Sequence, residues 1–207
     1  MRSLCLLILT AAAASAGPLG FGLKVGIPMT DFTNAVSSGK FDYTSKTQRY
    51  IVGPVVEIRL PAGFGIEADA LYRRFSYNSV VTGTGITSAT TGNAWEFPIV
   101  AKYRFPTPIA RPYIEGGIAW DSLQGLKQDV RTGLANLGIT STSIPAELHQ
   151  KTTTGFVLGF GLDVHALIIH IAPEIRYTRW GAQHFLDQNG GFHSSQNQAE
   201  FLIGITF

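Results

Sequence analysis

Ionisable side chains recur within eight segments of this chain, where they alternate with apolar residues. An alternation of period two places the two kinds of side chain on opposite faces of a β-strand. The acidic and basic residues of the polar face are nearly balanced in number. They are Lys24, Glu57, Arg59, Glu67, Asp69, Arg73, Glu96, Lys102, Arg104, Glu115, Asp163, Glu174, Arg176 and Glu200. Charges that are enclosed away from water must pair or stay hydrated, so the pattern predicts a charge network if this face is enclosed.

The spacing of two acids indicates how the network is arranged. A short link at residues 61–63 would place Glu57 opposite Glu67 on neighbouring strands. Two carboxylates so placed require a basic side chain between them. The candidates for that bridge are Arg59, Lys102 and Arg104. We interpret the network as a structural filling of a lumen, and a gate or a proton-conducting path is the alternative.

Other chemistries have weaker signals. His165 and His170 flank a short link without carboxylate partners at a fixed spacing, which is typical of rim residues rather than a metal site. We expect no metal and no cofactor. The run Gly159-Phe160-Gly161 lies inside a strand with no helix after it, so it does not indicate a phosphate loop. The net charge of +2 forms no basic stripe for nucleic acid.

Eight alternating segments must position these side chains. They span residues 19–27, 50–60, 64–73, 95–105, 111–120, 156–164, 169–177 and 199–207. Segments of about ten residues match a tilted strand that crosses a bilayer. Their links alternate between short and long, which predicts a transmembrane barrel with both termini on the side of the short turns. The long, polar links are 28–49, 78–93, 121–152 and 181–197.

The apolar face indicates lipid rather than a soluble, lipocalin-type core. The chain is 45% apolar and only 14% charged, whereas soluble domains have about 25% charged residues. Aromatic residues gather at both ends of the apolar face, as in the girdles of membrane barrels. Those toward the long loops are Tyr50, Tyr72, Trp95, Trp120, Phe156 and Tyr177, and those toward the short turns are Phe64, Phe105 and Phe207.

The longest loop, residues 121–152, leaves the strand number open. Val130, Leu134 and Leu137 have near-helical spacing, but Gly133 lies among them. The segment could instead extend two strands above the membrane, or add a hairpin that makes ten strands.

Residues 1–16 have the layout of a secretory signal peptide. One basic residue precedes a short apolar run, and small residues end at Ala16. Cleavage there leaves one expected domain, residues 17–207. Cys5, the lone cysteine, leaves with the signal, so we expect a mature chain without disulfides.

The end of the chain, AEFLIGITF, is an alternating strand that closes on Phe207. Together with the signal peptide and the eight-strand pattern, it resembles the small outer-membrane β-barrel family of Gram-negative bacteria, the OmpA/OmpX-type and opacity-type surface proteins. The resemblance implies an all-β, eight-stranded antiparallel up-and-down transmembrane β-barrel in the outer membrane. It also implies as partners the barrel assembly machinery during insertion, and outer-membrane lipid and lipopolysaccharide. The implied assembly signal comprises Phe201, Ile203, Gly204, Ile205 and Phe207.

Three functions are compatible with such a barrel. We favour a non-enzymatic protein with a side-chain-filled lumen, whose exposed loops serve adhesion, surface protection or envelope integrity. The first alternative is a narrow, porin-like channel for ions or small solutes. The second is a lipid A-modifying enzyme, because a deacylase among outer-membrane barrels uses a His-x-Ser pair that His193–Ser195 resembles, with Glu200 nearby.

Overall fold

The fold was analysed in a computed structural model. It describes residues 18–35, 41–47, 49–81, 86–108, 110–131, 139–141, 148, 150–166, 169–185 and 192–207. The expected signal peptide, residues 1–16, lies outside this part of the chain. Among the described residues, no helix has the length and apolar character needed to cross a bilayer.

The described chain consists almost entirely of β-strands. They are β1 (Leu19–Pro28), β2 (Thr33–Ala35), β3 (Phe41–Thr47), β4 (Ile51–Arg59), β5 (Phe64–Asp69), β6 (Leu71–Val81), β7 (Ile86–Arg104), β8 (Ala110–Arg131), β9 (Ile139–Ser141), β10 (Thr152–Ala166), β11 (Ile169–Trp180), β12 (Phe192–Ser194) and β13 (Asn197–Thr206). One short 3-10 turn, Pro61–Gly63, links β4 to β5.

Each wall strand pairs antiparallel with the next one along the chain, and β13 pairs with β1 to close the ring. β5 and β6 flank Ala70 and act as one wall strand, because both pair with β4 in the same register. β3 and β9 each pair with a single neighbour, β6 and β8, above the level at which β4 and β10 pair with those two strands, so they add no further wall strand to the ring. The prediction of a closed eight-stranded antiparallel barrel is therefore confirmed, and the ten-strand alternative is wrong.

Three wall strands, β6, β7 and β8, extend furthest into the segments that the alternation predicted as loops. β6 and β7 pair as far as Val81 with Ile86, and β7 pairs with β8 as far as Thr87 with Arg131. Parts of the predicted loops 78–93 and 121–152 are therefore strand. The extension is rich in Thr and Ser, which gives no apolar alternation, but β-branched Thr favours extended backbone and the strand pairing satisfies its backbone polar groups.

The turn between β4 and β5 sets the register of the charges above it. Ala62 and Gly63 both have positive φ, 62° and 86°, and a Cβ at Gly63 would lie 2.4 Å from the carbonyl oxygen of Arg104. Only glycine fits that position. The turn holds Glu57 directly opposite Glu67, as the short link predicted.

The rim of the barrel is uneven on the loop side. β1 ends at Pro28 and β4 begins at Ile51, whereas β6, β7 and β8 continue well beyond that level. A ribbon of β2 and β12, in which Thr33 pairs with Ser194, lies on the low side. The loop segments that carry this ribbon place Phe32 and Phe185 among buried inward-facing residues.

Candidate functional site

The middle of the lumen is filled by a cluster that we call the middle layer. It comprises Lys24, Glu67, Asp69, Lys102, Glu115, Glu174 and Arg176, all buried. Arg176 donates from Nε to Glu115 (2.9 Å) and from Nη1 to Asp69 (2.8 Å). Lys24 donates from Nζ to Glu67 (2.6 Å) and to Glu174 (3.0 Å). Each cation therefore joins acids that come from different strands.

Tyr113 completes the middle layer, although the charge pattern did not single it out. Its hydroxyl donates to Glu174 Oε2 at 2.6 Å, and Lys102 Nζ lies 4.6 Å from the centre of its ring. Its position in the alternating strand could have indicated this role, because Tyr113 lies two residues before the inward-facing Glu115 and therefore faces the lumen as well.

Three acids of the middle layer have the spacing of metal ligands. Oxygens of Glu67, Glu115 and Glu174 lie within 4.8 Å of one another. The space among them is already served by positive charge, since Arg176 contacts all three and Lys102 Nζ lies 2.7 Å from Glu67. The donor set is thus neutralised by side chains of the protein and does not fit a resident metal ion.

A turn-side layer closes the lumen below the middle layer. Arg104 donates from Nε to Asp163 at 2.7 Å and from Nη2 to Glu57. Arg59, which is partly exposed, lies 3.5 Å from Glu57. Glu57 and Glu67 do not share the single bridging cation that the sequence predicted. Glu57 binds Arg104, whereas Glu67 binds Lys102.

The histidines near this layer have a partner that sequence reasoning missed. His170 Nδ1 lies 2.9 Å from Asp163 Oδ1. Its ring stacks on that of His165, with centroids 4.5 Å apart and planes inclined by 19°. Asp163 lies two residues before His165, on the same face of β10, and His165 pairs with His170 of β11. The alternation of the strand therefore already placed Asp163 near both histidines.

A loop-side layer lies above the middle layer and centres on Arg73. Its guanidinium donates to Gln198 at 2.7 Å and to Glu200 and Asp121 at 3.1 Å each. Glu96 lies 3.8 Å away. Asp121 had been assigned to a loop and Gln198 was not singled out, so the sequence supplied three of the five members.

An apolar cap covers the loop-side layer. It comprises Phe32, Phe75, Tyr77, Ala94, Leu123 and Phe185, with Leu126 and Leu148 packed against it. The rings of Phe32 and Phe75 stack at 4.6 Å, and Phe185 meets Phe75 edge-on at 5.8 Å. These inward apolar residues depart from the charged pattern deeper in the lumen, which is why sequence reasoning missed them.

Among the described residues, little space remains between these layers. The cavity bounded by Lys24, Arg104 and Thr206 has a volume of about 10 Å³, room for a single water molecule. A second space of about 10 Å³ lies beside Phe32 and Arg73. Side chains therefore fill the lumen at both levels.

The predicted aromatic girdle residues lie on the outside of the barrel, where most are well exposed. Toward the loops, Tyr72 lies 6.4 Å from Tyr50 and 5.2 Å from Trp95. Trp120, Phe156 and Tyr177 lie on the same outer face. At the turn end, Phe64 and Phe105 each contact the ring of Tyr103, at 5.0 Å and 5.1 Å.

The proposed assembly signal forms the closing seam. Ile203 pairs with Val25 of β1 on one side and with Pro173 of β11 on the other. Phe201 and Ile205 point outward with Ile203, whereas Gly204 faces Lys24 inside. The amide of Phe207 donates to the carbonyl oxygen of Phe21 at 2.9 Å, so the last residue is still part of the ladder.

Comparison with known proteins agrees with this architecture. Residues 2–200 match the family model described as outer membrane protein beta-barrel domain. The outer membrane protein OprG from Pseudomonas aeruginosa aligns with 91% of this chain and 92% of its own, with a TM-score of 0.59 and 10% identity. Ail, the attachment invasion locus protein of Yersinia pestis, aligns with 91% of this chain and 99% of its own, with a TM-score of 0.39 and 9% identity. No curated protein sequence matches this chain.

The likeness to OprG shows the fold, and the family model spans nearly the whole sequence. The outward apolar face between two aromatic girdles is the surface that such a barrel presents to lipid. The chain belongs to the outer membrane protein β-barrel domain family and is an outer-membrane barrel of the Gram-negative type.

Proposed function

We propose that this protein is a closed, non-enzymatic outer-membrane barrel that acts through the surfaces of its loops, in adhesion, surface protection or envelope integrity. The observation that best supports this proposal is that side chains fill the lumen. The middle, turn-side and loop-side layers and the apolar cap occupy successive levels along the barrel axis. A barrel so filled has its accessible surface at its two ends and along its lipid-facing wall.

The extended strands supply a rigid surface on the loop side. From Tyr72 in the girdle, β6 continues for nine residues to Val81, which is about 30 Å of strand. β7 pairs with β6 along this length, and the hydroxyls of Ser79 and Ser88 lie 2.6 Å apart near its end. The paired hairpin supports a role in contact with molecules outside the membrane.

The channel alternative is less well supported because conduction would require displacement of buried ion pairs. Arg176 alone contacts four carboxylates of the middle layer, and each group left unpaired in the interior costs several kcal/mol. We therefore expect no stepwise conductance from the refolded protein in a planar bilayer. Regular conductance steps from verified, folded barrel would favour the channel.

The lipid A enzyme alternative finds no assembled site in the described residues. Glu200 points into the lumen and binds Arg73, and the hydroxyl of Ser195 donates to the backbone of Asn197 at 2.7 Å. The side chain of His193 lies outside the described residues. An unchanged lipid A profile in a deletion strain is the expected result.

The test of the loop proposal shortens the projecting hairpin above the ring, together with the pairs that its tip makes with β3 and β8. Residues 79–88 are replaced by Asn-Gly, a two-residue hairpin turn, which leaves the pair of Asn78 and Ala89 intact. We expect the shortened protein to reach the membrane in normal amounts. It should fail to restore the adherence and serum resistance that a deletion strain loses. Full restoration by the shortened protein would contradict a role for this hairpin.

A further inference from the structure

A buried histidine fastens two loop segments to the barrel. His184 Nδ1 lies 2.8 Å from the carbonyl oxygen of Gln150, and Nε2 lies 3.1 Å from Oδ2 of Asp121. Both partners are oxygen acceptors, whereas a neutral imidazole has one N–H donor. Both hydrogen bonds can form only if the pair holds one proton more than a neutral histidine and an ionised aspartate hold together.

The surroundings place that proton on His184 rather than on Asp121. Arg73 Nη2 donates to the same Oδ2 atom at 3.1 Å, which stabilises the ionised carboxylate. The ring of Phe32 stacks over His184 with centroids 6.1 Å apart, and an aromatic face attracts a cation at about this distance. His184 is therefore an imidazolium when both bonds are made.

The charge balance of the loop-side layer favours the same state. Its charged groups are Arg73 on β6, Glu96 on β7, Asp121 on β8 and Glu200 on β13. On β11, the nearest cation is Arg176, which is bonded to acids of the middle layer. Three carboxylates thus surround one guanidinium, and each has an oxygen that finds no hydrogen-bond partner among the described residues. An imidazolium at this point reduces the excess of buried negative charge.

Hydrogen bonds connect the backbone of His184 to the apolar cap. Ser194 Oγ accepts hydrogen bonds from the amides of His184 (2.7 Å) and Phe185 (3.3 Å), and the amide of Ser194 donates to the carbonyl oxygen of Phe185. Phe185 is fully buried in the cap. On the other side, Lys151, next to Gln150, accepts a hydrogen bond from the amide of Leu123.

We infer that His184 and Asp121 form a proton-operated latch over the loop-side mouth. With the proton bound, residues 150–151 and 181–185 are held against the barrel. Loss of the proton removes one of the two hydrogen bonds of the His184 ring and places a nitrogen lone pair against an oxygen acceptor, so the attachment of these segments weakens. Because the closed state binds one proton more than the loosened state, the latch responds to the proton concentration on the loop side.

The test measures the protonation of the His184 ring and the accessibility of the loop at Lys151 in the same detergent-folded, full-length barrel. Nitrogen NMR of histidine-labelled protein reports the charge of the ring, and trypsin cleavage after the exposed Lys151 reports the loop. The variant His184→Gln assigns the signal and cannot titrate. The matched control is His165→Gln, because His165 is exposed at the opposite end of the barrel. In the closed state we expect an imidazolium and slow cleavage.

As the ring loses its proton, cleavage after Lys151 should rise on the order of tenfold, the effect of one charged hydrogen bond. The rise should be absent in His184→Gln and retained in His165→Gln. If His184→Gln does not fold, Asp121→Asn serves instead, since loss of the carboxylate removes the charged partner of Nε2 and should speed cleavage after Lys151. A neutral His184 ring in the closed state, or an identical pH response with and without His184, would overturn the latch.

Discussion

Replacement of Arg176 by alanine is the sharpest test of the filled lumen. The side chain is fully buried, and its guanidinium contacts Glu115, Asp69, Glu67 and Glu174 within 3.3 Å. In the middle layer, three cations face four acids, so the variant leaves two cations against four acids. Acids that remain buried without partners repel one another and lose their hydrogen bonds.

The expected loss can be worked from these contacts. Removal of one partner of a buried ion pair costs about 3–5 kcal/mol, and Arg176→Ala should lower the free energy of unfolding by at least that amount. Arg176→Lys keeps the charge but reaches fewer acids, so we expect a loss of about 1.5–3 kcal/mol, that of one charged hydrogen bond. The matched control is Arg179→Ala, three residues on along β11, where an exposed guanidinium donates to Asn197. Exposed polar contacts of this kind contribute about 0–1 kcal/mol.

The measurement is reversible urea unfolding of the three variants in lipid vesicles, followed by tryptophan fluorescence. A fourth variant, the double substitution Arg176→Ala with Glu115→Gln, removes the negative charge of one of the unpaired acids and should recover part of the stability. If Arg176→Ala unfolds at the same urea concentration as Arg179→Ala, the middle layer is hydrated and the filling argument fails.

Three further results are expected. Phe207→Ala should refold in detergent, because a half-buried ring contributes at most about 2–3 kcal/mol, yet reach the outer membrane of cells poorly; normal levels in cells would refute its role as an assembly signal. Trypsin added to intact cells should cut at Lys151 and spare Arg111, and the reverse pattern would invert the assigned orientation. Arg74→Gln combined with Arg179→Gln, at the loop-side ends of the lipid-facing surface, should reduce the lipopolysaccharide that copurifies with the barrel, and undiminished lipopolysaccharide would remove these residues from lipid contact.

The inward positions of the charges were predictable because strand parity depends only on local geometry. Lys24, Glu67 and Arg176 face the lumen whatever the tilt of the strands. The opposition of Glu57 and Glu67 was equally accessible, since a short turn leaves little freedom in register.

The loop-side contacts were not predictable in the same way. Asp121 shares the parity of Glu115, but the aromatic residue before it marked the apparent end of the strand. His184 meets Asp121 and Gln150 across 63 and 34 residues, and no periodic pattern connects loop residues at such separations. Phe32 and Phe185 are apolar residues that face inward, so a rule that assigns apolar side chains to lipid cannot find them.

The ion pairs of the lumen constrain the order in which the barrel can form. Lys24 on the first strand contacts Glu174, 150 residues later, and Arg73 contacts Glu200, 127 residues later. Neither contact exists until the first and last strands meet, so an open, curved sheet keeps these charges in contact with water. Drying of the interior, formation of the ion pairs that cross the seam and joining of the seam must therefore occur as one late step. A partly wrapped intermediate can form pairs such as Lys102 with Glu67 but gains none of the stabilisation from the pairs that cross the seam, which makes completion of the ring cooperative.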